Sequence, residues 1–449
     1  MPGAPLSRFT MSYFAVSIAC LLLALLGMTA GFGYPSDSLA APDTLVIVHL
    51  LTIGWLGLLF CGALLQFVPV LSAAAPRLTC LSAPALILLI IGLAALLAGF
   101  LALGGRLNGA LLIIMPVGAL SLAAGFVCLL LSFAWTMLSQ RSVDHSSWMV
   151  LIGLISLLVT ITLGASFTGL LSGTADLGGV PALLEAGVSV HALSGLLGWM
   201  SITAAGVSYR LFSMFMVAPA TGLRTRPLLA SIITGLVVLW FGPFVENARS
   251  PVAASLQWAS LAFLACGMCV FFSDIAGMVR ARRRKRLELS TLLGLCALGY
   301  LPFGFALLAW AAIAPQSQTV IAAAIYVLAM GWLSGLGLSQ LYKIVPFLTW
   351  LETYGPVMGH APVPRVQDLI RDRRARLWFI LYHAGVVVGL TALLADALIL
   401  FRMAAGLQLV AVTMLALEFI RARRLAYAPK DIGLPSGTVR PHLFYAHQT

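Results

Sequence analysis

The stretch from His49 to Val70 reads HLLTIGWLGLLFCGALLQFVPV and contains no Asp, Glu, Lys or Arg. Such a stretch is long enough for a membrane-spanning helix, which needs about 20 mostly apolar residues. The whole chain has this character, because 61% of its 449 residues are hydrophobic and only 9% are charged. Soluble domains average about 25% charged residues. The sequence therefore predicts an all-α integral membrane protein, and it excludes a cytosolic enzyme, a secreted disulfide scaffold and a free nucleic-acid-binding domain.

Twelve apolar runs of this kind follow one another along the chain, and together they predict twelve transmembrane helices. They form a single membrane domain over residues 1–449. The runs cover roughly residues 11–33, 45–71, 80–103, 109–138, 148–172, 186–216, 228–247, 252–279, 291–314, 319–349, 377–395 and 398–420.

The basic residues fall mostly on one side of these predicted spans. With the N-terminus placed in the cytoplasm, the inner segments hold 23 of the 26 Lys and Arg residues and the outer segments hold 3. Lys and Arg collect on the cytoplasmic side of membrane proteins, so both termini are predicted to be cytoplasmic. The basic run from Arg280 to Arg286 is then an inner loop that anchors the topology and meets anionic lipid. A multi-pass protein of a bacterial-type inner (plasma) membrane is expected.

Two further spans repeat the pattern of the quoted stretch. Span 6 reads HALSGLLGWMSITAAGVSYRLFSMF from His191, and span 10 reads YVLAMGWLSGLGLSQLYKIVPF from Tyr326. In all three spans a Gly-Trp pair is followed at fixed spacings by a small residue and then by a polar residue; the pairs occupy positions 54/55, 198/199 and 331/332. The three pairs lie on spans 2, 6 and 10, so each pair is four spans after the previous one. The sequence therefore predicts three parallel repeats, over about residues 1–145, 146–288 and 289–449, arranged as pseudo-threefold arcs of four helices.

Twelve helices in three arcs of four resemble the catalytic subunit of the haem-copper oxidases. The phrase from His49 to Val70 is similar to the second helix of that family, where a histidine near the outer face ligates the low-spin haem. His191 lies where the family has its first copper ligand. The resemblance implies a b-type haem, allows copper, and makes His49 and His191 candidate metal ligands. The size and layout are also similar to the twelve-span haem- and copper-containing proteins of the nitric oxide response.

The chain departs from the oxidase family at two of its histidine positions. The family carries adjacent histidines on span 7 and two histidines on span 10, and neither span has a histidine here. The copper site, the oxygen-binding haem and the second axial position of the low-spin haem therefore lose ligands. Oxygen reduction at the usual binuclear centre is not expected. The sequence names no catalytic residue and leaves open whether the protein is an enzyme.

Ionisable residues within a bilayer are functional candidates by default. His383, at mid-depth in span 11, could be a replacement axial ligand or part of a proton path; the simpler interpretation is a hydrogen-bonded buried histidine. Three outer arginines, Arg106, Arg249 and Arg402, each lie between the third and fourth helix of a repeat. Guanidinium groups pair well with carboxylates, so the resemblance makes these arginines candidate partners of haem propionates, and Arg402 is the best placed.

Three functions are compatible with these features. The first is a haem-binding, and on the same resemblance copper-binding, membrane protein that lacks a complete oxygen-reducing centre. It would act in electron transfer or in nitrogen-oxide or metal physiology, with a redox partner or a small gas ligand. The alternative is a solute or metal transporter or channel whose path is lined by the membrane histidines and by Gln66, Arg210 and Lys343. The third is an assembly subunit with no site of its own. No nucleic-acid partner is predicted.

Overall fold

A computed structural model of the chain is helical through most of its described length. The structure describes residues 7–140, 143–174, 180–219, 224–244, 251–313, 317–429, 434, 438 and 440–446, without the side chains of 180–186, 251, 312 and 317. Within these ranges twelve helices are long and apolar enough to cross a membrane, and an isolated bridge joins Met358 to Ala361. The predicted all-α fold with twelve spans is confirmed, and spans of this kind imply contact with a lipid bilayer.

The spans are numbered α1 to α12 in chain order. Their bounds are Thr10–Ala30, Pro42–Ser72, Thr79–Leu103, Gly109–Leu138, His145–Leu171, Gly187–Met216, Thr225–Phe244, Val252–Arg280, Leu289–Ala311, Gln318–Val357, Asp372–Leu394 and Leu398–Arg423. All but two of the helix ends lie within three residues of the sequence prediction. The exceptions are the end of α10 and the start of α11, where polar and charged residues continue the helix beyond the apolar run.

Three of the spans depart from α-helical geometry at the same place. α2, α6 and α10 each contain an eight-residue π-helical segment, at Leu50–Gly57, Ser194–Ser201 and Val327–Ser334. The Gly-Trp pair supplies the fifth and sixth residues of each segment. π-Helices account for well under 1% of residues in proteins and are mostly single turns near functional sites. The three sequence phrases therefore share a rare backbone conformation in one register.

The tryptophans of these segments are buried in protein. Trp55, Trp199 and Trp332 are each at most 1% exposed. The indole N–H of Trp55 donates to Oγ of Ser334 at 2.8 Å, which ties the π-helical segment of α2 to that of α10. Because a buried indole N–H needs an acceptor, this bond fixes the depth at which the two helices meet.

Glycines of the repeat bring the second helix of a block close to the first. A Cβ atom on Gly331 would lie 2.6 Å from the ring of Tyr300 in α9, and one on Gly198 would lie 2.7 Å from Ser156 in α5. Small residues permit this close approach between helices in lipid. Gly62 and Gly206, which come later in the pattern, permit the same close approach. Gly62 lies against Tyr13 of α1, and Gly206 lies against Met149 of α5.

The chain divides into two compact units. The first comprises Met1–Gln66, Glu288–Leu301 and Gln318–Thr449, and the second comprises Phe67–Leu287 and Pro302–Ser317. In the first unit α1 packs on α2 and α12, α9 on α10, and α11 on α12. In the second unit α3 packs on α4, α4 on α5, α5 on α6, and α7 on α8.

The orientation of the spans is a prediction that reporter fusions can test. With both termini in the cytoplasm, fusions after residues 40, 180 and 315 are expected to report the outer side, because those segments carry few basic residues. Fusions after residues 145 and 285 are expected to report the cytoplasm. Alkaline phosphatase and green fluorescent protein fusions at each position provide opposite readouts, so a reversed pattern would overturn the orientation.

Candidate functional site in the membrane interior

His49 ends the α-helical first part of α2, immediately before the π-helical segment. Its Nδ1 lies 2.8 Å from the carbonyl oxygen of Leu45, one turn earlier. A carbonyl oxygen only accepts, so this bond assigns the proton to Nδ1 and the lone pair to Nε2. Histidines that ligate metals commonly donate the other ring N–H to a carbonyl in this way. The bond is equally consistent with the simpler interpretation, in which His49 is a histidine hydrogen-bonded to a carbonyl oxygen and binds no metal.

His191 has the same arrangement in the second unit. Its Nδ1 lies 2.9 Å from the carbonyl oxygen of Thr160 in α5, and its ring meets the ring of Phe167 edge to face at 5.7 Å. This acceptor comes from a neighbouring helix, whereas that of His49 comes from its own helix. Within the described residues, no three His, Cys, Asp or Glu side chains are placed to hold a metal ion. Any metal at these histidines would therefore have few protein ligands in that part of the chain.

His383 lies in the middle of α11, and among the described residues only one of its ring nitrogens has a partner. Nδ1 is 3.3 Å from the hydroxyl of Tyr300, and the two rings are stacked, with an interplanar angle of 10°. Nε2 is buried and has no hydrogen-bond partner among the described residues. More than about 90% of buried polar groups are hydrogen-bonded. Nε2 of His383 therefore has, among the described residues, no partner of the kind that the simpler interpretation of a hydrogen-bonded buried histidine requires.

A second buried polar group lies in the same unit and was not identified from the sequence. Gln408 of α12 is 0% exposed, and its Nε2 donates at 2.6 Å to the hydroxyl of Tyr326. That hydroxyl lies 3.4 Å from the carbonyl oxygen of Gly385 in α11. Oε1 of Gln408 is buried without a partner in the described part of the chain. The ring of Tyr382 meets that of His383 edge to face at 5.5 Å. We call Tyr300, Tyr326, Tyr382, His383 and Gln408 the mid-membrane polar cluster.

The outer arginines have different surroundings. Arg402 donates from Nε to the carbonyl oxygen of Thr29 and from Nη2 to that of Ala30, each at 3.0 Å, and so caps the C-terminal end of α1. A cation is favourable there because the helix dipole is negative at its C-terminus. Arg106 is exposed in the loop between α3 and α4, and Arg249 lies outside the described residues. The cap accounts for the position of Arg402 without a propionate.

The polar residues proposed to line a transport path have local partners. Nε2 of Gln66 donates to Oγ1 of Thr10 at 2.8 Å. Lys343 is paired with Glu288, and Arg210 is exposed. These contacts are those expected of long side chains that place their polar ends at a membrane boundary. They do not favour a transport path lined by these residues.

The three membrane histidines and the mid-membrane polar cluster are thus the chemical groups from which a function can be argued. Neither a model of a known protein family nor a curated protein sequence matches the chain.

Proposed function

We propose that the protein binds b-type haem within the membrane, on a scaffold of three four-helix arcs of the haem-copper oxidase type. One observation carries the proposal. In His49 and His191 a backbone carbonyl oxygen accepts from Nδ1, so Nε2 carries the lone pair that can ligate iron. In His383 Nδ1 lies beside the hydroxyl of Tyr300, and Nε2 can ligate iron where Nδ1 carries the proton. The π-helical segments at equal positions of α2, α6 and α10 support the repeated scaffold.

The residues of the chain have distinct parts in this proposal. His49 is the axial ligand, and its bond to Leu45 keeps the ring in the ligating tautomer. His383 is the second candidate for an axial position, because its buried Nε2 is without a partner in the described residues. His191 is the candidate copper ligand. A haem held by one histidine supplies an iron that exchanges electrons and takes a small gas ligand.

The proposal predicts the visible spectrum of the purified protein. Wild type is expected to show reduced haem b bands. These bands shift with carbon monoxide where no second residue ligates the iron, and they do not shift where His383 does. His49→Ala is expected to lower haem affinity by at least the 10–100-fold seen when an outer-shell partner of a ligand is lost. His360→Ala, at an exposed loop position, is the matched control and should retain the bands.

The same variants distinguish the alternatives. Full haem content in His49→Ala, with loss in His383→Ala, would move the axial ligand to α11. Loss of haem in His191→Ala alone would assign the axial ligand to α6. Wild type that contains no haem when produced in haem-supplied cells would overturn the proposal.

A second candidate function is a proton or small-solute path through the mid-membrane polar cluster. The observation that favours it is the pair of buried atoms, Nε2 of His383 and Oε1 of Gln408, that have no partner in the described part of the chain. Polar groups inside a membrane commonly mark such paths. Wild type without haem, together with proton entry into vesicles that His383→Gln abolishes, would select this function.

A further inference from the structure

A cavity of about 310 Å³ lies where the end of α6 meets the segment that follows α8. Its volume is at the lower end of the roughly 300–1,000 Å³ typical of small-molecule sites. The cavity opens on the side of the protein predicted to be cytoplasmic. Its walls are formed by Ser213, Met214, Val217, Ala218, Pro219 and Arg283.

Backbone hydrogen bonds hold the two walls of this cavity together. Val217, the residue that follows α6, adopts a left-handed conformation with a φ of 51°. The carbonyl oxygen of Val217 accepts from the N–H of Arg283 at 3.3 Å, and that of Met216 accepts from the N–H of Arg284 at 3.2 Å. Oγ of Ser213 donates to the carbonyl oxygen of Ala218 at 2.8 Å. The arginine segment is therefore fixed against the end of the helix.

The wall residues combine exposed apolar surface with one cation. Met214 is 50% exposed and Val217 is 49% exposed. Arg283 is the cation among these wall residues and is also exposed.

The surroundings of the cavity are also positively charged. Arg283 belongs to a run in which six of the seven residues from Arg280 to Arg286 are Arg or Lys. Basic pockets on the cytoplasmic side of membrane helices bind the headgroups of anionic lipids. Two exposed apolar side chains next to a cation fit an occupant with an anionic part and an apolar part.

We propose that this cavity binds an anionic phospholipid from the cytoplasmic leaflet. The phosphate pairs with the guanidinium of Arg283, which offers several N–H donors to phosphate oxygens. The acyl chains lie along Met214 and Val217 and cover their exposed surface. A soluble phosphomonoester would share the phosphate contact but would leave both apolar side chains uncovered.

The test is lipid binding to delipidated protein in detergent, measured by native mass spectrometry with phosphatidylglycerol as the probe. Arg283→Gln is expected to weaken phosphatidylglycerol binding about fivefold, the effect of losing one juxtamembrane cation. Arg282→Gln is the matched control, because its guanidinium donates to the carbonyl oxygen of Val279 and it does not line the cavity. Binding to this control is expected to change less than twofold.

Three further measurements separate the possible results. Met214→Gln is expected to weaken phosphatidylglycerol binding, whereas phosphatidylcholine should bind wild type poorly. Equal losses in Arg283→Gln and Arg282→Gln would mean that only diffuse charge acts, and would overturn the proposal. Displacement of the lipid by an equal concentration of glycerol 3-phosphate would also overturn it, because the occupant would then be a soluble phosphoester.

Discussion

Glu352→Ala is expected to lower the free energy of unfolding by about 3–5 kcal/mol, the range for removal of one partner from a buried ion pair. Glu352 and Arg423 have side chains that are 2% and 3% exposed, and Oε2 of Glu352 lies 2.6 Å from Nη1 of Arg423. Nη1 also donates to Oγ1 of Thr349 at 3.3 Å. Removal of the carboxylate leaves a guanidinium that is buried, charged and without its counter-ion.

The thermal unfolding midpoint of the detergent-solubilised protein measures this effect. The matched control is Asp368→Asn, which breaks the 3.1 Å pair of Arg365 and Asp368, whose side chains are 79% and 27% exposed. Exposed pairs contribute little, so the control midpoint should hardly move. The double variant Glu352→Leu with Arg423→Met should be more stable than Glu352→Leu alone, because it leaves no buried charge. Equal midpoints for Glu352→Ala and Asp368→Asn would contradict the prediction.

Arg423 also fixes the C-terminal segment of the protein. Nε of Arg423 donates to the carbonyl oxygen of His442 at 3.0 Å. The same segment is held by the backbone N–H of Ala446, which donates to the carbonyl oxygen of Arg8 at 2.8 Å. The double variant is therefore expected to speed hydrogen–deuterium exchange over residues 442–446, even where it regains thermal stability.

The twelve spans could be predicted because lipid imposes a length and a composition that the sequence records directly. The apolar runs stop short of the end of α10 and begin after the start of α11. Those turns carry residues such as Glu352 and Asp372, whose partners are distant in sequence. Glu352 pairs with the guanidinium of Arg423, and Asp372 accepts from the hydroxyl of Tyr342. A charged residue lowers the mean hydropathy of the segment around it. That mean contains no information on a partner elsewhere in the sequence.

The π-helical segments could not be predicted for a related reason. The Gly-Trp repeat marked their positions, but no apolar periodicity distinguishes a bond to the fifth residue from one to the fourth. What the three-dimensional structure adds is the burial of Trp55 against Ser334, which lies 279 residues away in sequence.

The candidate site was partly visible in the sequence. His49, His191 and His383 were found because an imidazole within an apolar run is conspicuous. Gln408 was overlooked, because a single amide on a helix does not show that it meets Tyr326. The position of Arg402 at the outer face suggested a propionate partner, but its bonds go to α1, more than 370 residues earlier in the chain.

Gly331→Ala is expected to cost about 1–3 kcal/mol, the usual range when a group is added to a closely packed interior. The new Cβ would lie 2.6 Å from Cγ, 2.8 Å from Cδ1 and 3.0 Å from Cβ of Tyr300. These atoms are at the base of the ring, so rotation of the side chain tip cannot relieve the overlap. Tyr300 would have to move, and it stacks on His383 and bonds to its Nδ1.

The matched control for this prediction is Gly277→Ala in α8, where a Cβ would meet nothing within 4 Å. Alanine has a higher helix propensity than glycine by about 1 kcal/mol, so this control should be neutral or slightly stabilising. The double variant Gly331→Ala with Tyr300→Ala removes the overlap, and the two losses should therefore be less than additive. The measurement is the thermal unfolding midpoint of wild type, Gly331→Ala, Tyr300→Ala, the double variant and Gly277→Ala. Equal midpoints for Gly331→Ala and Gly277→Ala would contradict the prediction. They would show that α9 and α10 are farther apart at Tyr300 than in the structure.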